Sequence, residues 1–260
     1  MIVPLILFVS GLVIGTLGTL IGAGGGWMIV PLLLLGFHFA PAPAVATSLT
    51  VVFLNALSGS IAYMAQRRVL YRMGMVFALA TIPGTLLGVQ LVQHLGSRWF
   101  SMLFGILLLG ISAFLFRGHV LLPPRHRGTE DLEALQSFRS PQMRLGMLVS
   151  FVVGVLSSLF GVGGGIIHVP FMIVVLSLPV HVATATSHFV LSITSLVGML
   201  AFLYRGEVHL AVVASMGLGV LIGAQVGAML SKRMKSEPIR RILAGALAVF
   251  AIRLILRLVF

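Results

Sequence analysis

One eleven-residue pattern stands twice in this chain, each time inside an apolar segment. Leu20-Ile-Gly-Ala-Gly-Gly-Gly-Trp-Met-Ile-Val30 runs into Pro31, and Leu159-Phe-Gly-Val-Gly-Gly-Gly-Ile-Ile-His-Val169 runs into Pro170. The offset of 139 residues continues without a gap. Ala46-Thr47-Ser48 falls on Ala185-Thr186-Ser187, Gly59 on Gly198, Gly84 on Gly223 and Gly88 on Gly227. The chain is therefore a duplication, and each half carries a helix-breaking glycine run. Backbone without helical bonds survives at membrane depth only where protein buries it or water reaches it. Matching broken helices in two membrane repeats point to a transporter's binding site.

The membrane setting follows from composition. About 59% of residues are apolar and 8% charged, far from the quarter charged of a soluble domain. A net charge of +12 would suit nucleic acid, but the Lys and Arg sit in short links between apolar blocks. There they act as topology signals, so the expected partner is the lipid bilayer and not nucleic acid. The chain has no cysteine, which excludes disulfides, thiolate metal sites and cysteine nucleophiles. No cofactor or metal is expected. The N-terminus is apolar from Ile2 without a basic n-region, and reads as a retained membrane element rather than a cleaved signal.

The expected fold is an all-α integral membrane protein of two inverted repeats, each a glycine-broken helical hairpin plus three transmembrane helices. Repeat one covers residues 1–117, a cytoplasmic linker 118–142, and repeat two 143–260. The apolar blocks are 2–38, 44–65, 73–95 and 98–116, then 144–178, 181–204, 208–230 and 239–259. About 20 helical residues cross the ~30 Å hydrocarbon core, so the first block of each repeat is too long for one crossing and predicts a hairpin. In the linker, Pro123-Pro124 ends a helix and Thr129-Glu130-Asp131 predicts a short surface helix to about Phe138.

Charge placement gives orientation. Arg67, Arg68 and Arg72 follow the second block of repeat one, where repeat two has only Arg205 beside Glu207. The next link reverses the bias: Arg98 in repeat one against Lys232, Arg233, Lys235, Arg240 and Arg241 in repeat two. By the positive-inside rule, equivalent loops face opposite sides, with the linker inside and both termini outside. Arg253 and Arg257 run against the rule and would snorkel to the headgroups.

Several residues are candidates for the site. After Gly24-Gly25-Gly26 and Gly163-Gly164-Gly165 a new half-helix begins, whose free N–H groups and positive dipole end suit an anion. Gly22 and Gly161 open the breaks. Pro31 and Pro170, about one turn on, lack an N–H and free a carbonyl. The alternative is that the glycines only let helices pack closely, the role expected of Gly84, Gly88, Gly223 and Gly227. The hydroxyls of Thr47, Ser48, Thr186 and Ser187 can donate to an anion, or bond back to their own helix. Asn55 and Thr194 occupy equivalent positions, lining a path or joining helices, with joining favoured. His168 and His188 break the repeat symmetry, standing where Ile29 and Leu49 stand in repeat one. An intramembrane titratable group is a functional candidate, and His188 adjoins Ser187. His181 and His209, at helix ends, are expected to be interfacial. No Asp or Glu falls at a span centre, which favours an anionic substrate.

The paired G-x-G-G-G…P and A-T-S motifs resemble those of the TauE/SafE family of sulfite and sulfonate exporters, over nearly the whole chain. The resemblance implies a multi-pass carrier of the bacterial inner membrane for small sulfur-containing anions, such as sulfite or organosulfonates. By motif it carries over Gly22, Gly24, Gly25, Gly26, Pro31, Thr47 and Ser48, with Gly161, Gly163, Gly164, Gly165, Pro170, Thr186 and Ser187. The expectation is a secondary transporter and not an enzyme, its oligomeric state open. Two other readings compete with it, an intramembrane serine enzyme and a membrane assembly or interaction protein without transport activity. Ser58-Gly59 faintly resembles a rhomboid-like serine motif, with Ala56 in place of its first glycine. A membrane assembly protein would want a larger docking domain than the linker offers.

Overall fold

A computed structural model describes residues 2–116, 141–232 and 236–259. Among these residues the regular structure is all helix, with no strand. In repeat one, α1 is Ile2–Ile21, α2 is Gly26–Pro31 continued by a π-helical turn Leu32–Gly36, α3 is Pro41–Ala65, α4 is Tyr71–His94 and α5 is Ser97–Phe116. In repeat two, α6 is Pro141–Phe160, α7 is Gly165–Val174, α8 is Val180–Tyr204, α9 is Leu210–Leu230 and α10 is Ser236–Val259. Every helix start obeys the 139-residue offset. The loops obey it too, since the left-handed residues His38 and Arg67 fall on Ser177 and Gly206, also left-handed. The surface helix expected near Phe138 lies outside the described residues.

Among the described residues, seven helices are long and apolar enough to cross a membrane: α1, α3, α4, α5, α6, α8 and α9. The first and fifth apolar blocks are both broken as their length required, but unequally. α1 and α6 have 20 residues each, about 30 Å. The return pieces, residues 26–36 and α7, are 11 and 10 residues, about half the hydrocarbon core. Each break turns on glycines with positive φ: Gly22, Gly24 and Gly25 at 83°, 74° and 84°, Gly161 and Gly163 at 66° and 69°. Other residues adopt that region only at a cost.

The helices pair across the repeats. α1 lies against α9 and α4 against α6, with glycines letting the backbones touch. A methyl added at Gly84 would sit 2.1 Å from the Phe151 carbonyl oxygen, and at Gly223 2.3 Å from that of Leu12. Gly88 and Gly227 abut the carbonyls of Val155 and Thr16 in the same way. The close-packing role expected of these four glycines is thus what they perform. Both pairs run parallel, 84 and 88 facing 151 and 155. The equivalent helices α3 and α8 run antiparallel, with Gly59 against His188 and Gly198 against Leu49. α5 and α10 are also antiparallel, with Gly105 at Ile255 and Ser112 donating to the Ala244 carbonyl at 2.8 Å. α3 is the most enclosed of the seven spans. It and α8 form the centre on which both breaks rest.

Candidate functional site

The two glycine breaks cross at the middle of the α3–α8 pair. A methyl on Gly26 would meet the Gly161 carbonyl oxygen at 2.1 Å, and one on Gly165 would meet that of Gly22 at 2.0 Å. The start of each short helix therefore lies on the first glycine of the other repeat's break. Gly24 and Gly163 both rest on Val52 and Leu191, which are themselves equivalents. All the break glycines are buried.

Two reciprocal pairs of hydrogen bonds lock this crossing. Ser48 Oγ donates to the Gly161 carbonyl at 2.8 Å, and Ser187 Oγ donates to the Gly22 carbonyl at 3.2 Å. The backbone N–H of His209 donates to Thr47 Oγ1 and that of Leu70 to Thr186 Oγ1, both at 3.1 Å. Each threonine thus caps the fourth helix of the other repeat, where Leu70 and His209 are the N-cap residues. Sequence reasoning offered these hydroxyls an anion or their own helix. They instead reach across to the other repeat, and all four side chains are fully buried.

Asn55 and Thr194 take the helix-joining role. Asn55 Nδ2 donates to the Gly24 carbonyl at 3.1 Å, and Asn55 Oδ1 accepts from Thr19 Oγ1 at 3.2 Å, tying α3 to α1 and to the break. Thr194 Oγ1 lies 2.6 Å from Thr81 Oγ1, tying α8 to α4. Pro31 sits where α2 widens into its π turn, and Pro170 is inside α7.

The two short helices start differently. The Gly164 N–H donates to Ser157 Oγ at 2.8 Å, and Gly164 has φ −31°. In repeat one Gly18 replaces Ser157, and its Cα faces the Gly25 nitrogen so closely that any Cβ would fall 2.6 Å from it. Among the described residues the Gly25 and Gly26 amides have no acceptor. Buried backbone donors without partners are uncommon and mark strain or an unshown ligand. On the same helix the indole N–H of Trp27 is buried and, among the described residues, has no partner. Trp27 escaped the sequence reading because an indole in an apolar run looks like core.

The histidines differ in the same way. His168 Nε2 pairs with Ser150 Oγ at 3.0 Å, and the ring stacks parallel to Phe77 at 6.2 Å. His188 is fully enclosed, and among the described residues neither of its ring nitrogens meets a partner in hydrogen-bond geometry. Tyr63 meets it edge-on at 5.7 Å, and Tyr63 OH donates to the Thr19 carbonyl at 2.7 Å. His209 is exposed and lies against Phe39, with ring centroids 4.4 Å apart. Phe39, with Leu34, Pro41, Ser97, Arg98 and His38, borders an open pocket of about 610 Å³. Pro41 is seven residues before Ser48, so the pocket lies about 10 Å from the crossing along α3. Among the described residues no Asp, Glu, Lys or Arg is buried, and no cluster could hold a metal.

The likeness to known proteins spans the whole molecule. The family model described as "Sulfite exporter TauE/SafE" matches residues 7–254. A probable membrane transporter protein, YunE, of Bacillus subtilis is 33% identical over 98% of both chains. Another, MJ0441 of Methanocaldococcus jannaschii, is 25% identical over 98% of this chain and 96% of its own. No solved structure matches significantly. A crossing of two broken helices inside seven membrane-capable spans, with a family match over nearly every residue, makes this a multi-pass membrane transporter, and the chain belongs to the sulfite exporter TauE/SafE family.

Proposed function

We propose that the chain is a secondary carrier that exports small sulfur-containing anions, such as sulfite or organosulfonates, by alternating access. The observation that carries this reading is the reciprocal lock of Ser48 on Gly161 and Ser187 on Gly22. It puts two helix starts, two serine hydroxyls and two glycine carbonyls at one enclosed point. The antiparallel run of equivalent helices supports inverted repeats, and so a lock that can loosen from either side.

The chemistry of the crossing favours an anion. The donors gathered there are the Gly25 and Gly26 amides, the Trp27 indole and the four hydroxyls. Residues 26–36 form 11 residues of helix, whose start carries partial positive charge. In the described arrangement the serines are spent on carbonyls and the breaks touch. Parting them on one side frees a serine hydroxyl to donate to an oxyanion and uncovers the amides. The candidate residues are Gly24, Gly25, Gly26, Thr47, Ser48, Gly163, Gly164, Gly165, Thr186, Ser187 and His188, with Asn55 and Thr194 holding the frame.

The serine of the intramembrane-enzyme reading, Ser58, is engaged between helices. Ser58 Oγ donates to the Leu221 carbonyl at 2.8 Å and accepts from Gln225 Nε2 at 2.9 Å, which is a link between helices. The deciding experiment puts the purified chain in liposomes and follows uptake of labelled sulfite, thiosulfate and methanesulfonate, with acetate as control. Saturable movement of at least one sulfur oxyanion, and not of acetate, is expected. If none moves, the carrier reading fails and the assembly-protein reading takes its place.

A further inference from the structure

The duplication builds two equivalent sockets beside the crossing and fills them with different chemistry. Repeat two's version holds Leu49 against Gly198, with Phe202 and Ser158 at the positions equivalent to Tyr63 and Thr19. The other version holds His188 against Gly59. A methyl on Gly59 would lie 2.7 Å from His188 Cδ2, 2.9 Å from its Nε2 and 3.0 Å from Thr19 Cγ2. So the glycine is needed to seat the imidazole. Tyr63 closes the socket from the next turn of α3, and the Gly22 carbonyl, which takes the Ser187 hydroxyl, is the backbone group facing the ring. One residue from Ser187, His188 therefore adjoins the lock itself.

A neutral imidazole carries one donor and one acceptor; the Gly22 carbonyl can serve only the N–H, so the acceptor nitrogen is buried without a donor among the described residues, which is costly. The arrangement is intelligible if another state supplies a partner. The groups around the ring are few. α3 presents Tyr63 and Gly59, α1 presents Thr19, and the break presents Gly22. None is a permanent charge, and among the described residues no Lys, Arg, Asp or Glu is buried anywhere. His168, the other buried histidine, is taken by Ser150. An anion brought to this depth thus has one group able to neutralise it, by gaining a proton.

We propose that His188 binds the proton that travels with the anion, so that each anion crosses together with one H⁺. This deepens the carrier reading and rests on it. An anion beside the ring favours the imidazolium, and the imidazolium favours the anion by the same factor. The proton is taken from water on the side where the site opens and is returned to water on the other side. The bound pair is neutral, so it avoids most of the cost of carrying a bare charge through a region of low dielectric. Gly59, seating the ring, and Tyr63, closing over it, are positioning residues.

The test uses methanesulfonate, whose own charge is constant across neutral pH, and sulfite, on the full-length chain. Calorimetric binding in two buffers of different ionisation enthalpy counts the protons taken up per anion. Wild type is expected to take up about one on the alkaline side, where affinity falls roughly tenfold per pH unit. His188→Gln should bind with no proton uptake and a flat pH profile, while His168→Gln keeps the wild-type count. In liposomes holding a pH-sensitive dye, wild type should move protons with the anion. Anion movement by wild type with no proton uptake and no dye response overturns the proposal and leaves the carrier reading standing. Absence of any anion binding or movement overturns both. A His188→Gln protein that does not fold leaves the wild-type proton count to decide.

Discussion

The hydroxyl of Ser48 donates to the Gly161 carbonyl across 113 residues of chain, and its twin Ser187 returns the bond to Gly22. The same two residues in each repeat are thus both motif and fastener. The glycine carbonyl needs an acceptor's partner because the helix that would have supplied its N–H has just ended. A serine of the other repeat supplies one. The fold places that serine there because α3 and α8 pass antiparallel at this height.

Removing one fastener should weaken the molecule measurably. Ser48→Ala or Ser187→Ala leaves a buried carbonyl unpaired, at a cost of roughly 1–3 kcal/mol. Thermal melting in detergent is expected to fall by several degrees in each variant. The double variant should fall by a different amount from the sum, because both bonds hold one crossing. Unchanged melting in both single variants would mean that the bonds are not made in the folded protein.

The glycines of the crossing are expected to rank by what a methyl would strike. Gly26 and Gly165 have no positive φ, yet a methyl on either would fall at about 2 Å from a carbonyl oxygen held by a serine. Gly26→Ala and Gly165→Ala should therefore lower stability sharply and abolish transport. Gly110→Ala, with nothing within 4 Å, is the control and should match wild type. Transport by Gly26→Ala at the wild-type rate would show that the two breaks need not touch.

Much of this fold was legible in the sequence, because both repeats carry the same breaks in one register. The glycine runs and block lengths located the described helices to within four residues, since apolar runs and helix breakers act locally. The sequence also pointed to helix joining by Asn55 and to packing by Gly84 and Gly223. What it hid was long-range. Nothing local says that Thr47 will cap the helix after His209, or that Ser157 will hold the Gly164 amide while Gly18 leaves Gly25 bare. Those bonds depend on which helices meet. Tyr63 and Trp27 were missed because aromatic residues in apolar runs give no sign of which polar atoms lack a partner.

Asn55 should matter more than its equivalent Thr194. Asn55 holds both the Gly24 carbonyl and the Thr19 hydroxyl, whereas Thr194 also bonds the Val190 carbonyl of its own helix. Asn55→Leu would orphan two buried groups at roughly 1–3 kcal/mol each. Thr194→Ala would release Thr81, which retains a bond to the Ala78 carbonyl. Melting should drop about twice as far for Asn55→Leu. Equal losses would mean that Asn55 contributes no more to the break than a simple helix link.

The proposal of inverted repeats makes a prediction that the absence of cysteine renders clean. Tyr71 opens α4 beside Arg67, Arg68 and Arg72, and Tyr204 ends α8 beside Arg205 and Glu207. Both side chains are well exposed, at 52% and 94%. The three arginines put Tyr71 inside by the positive-inside rule. α4 then carries the chain outward, and α8, antiparallel to α3, also ends outside. Tyr71→Cys should react with an impermeant maleimide only after cells are opened, and Tyr204→Cys in intact cells. If both react from one side, the two ends share a face. The repeats are then not inverted, and a lock that opens alternately to either side loses its structural basis.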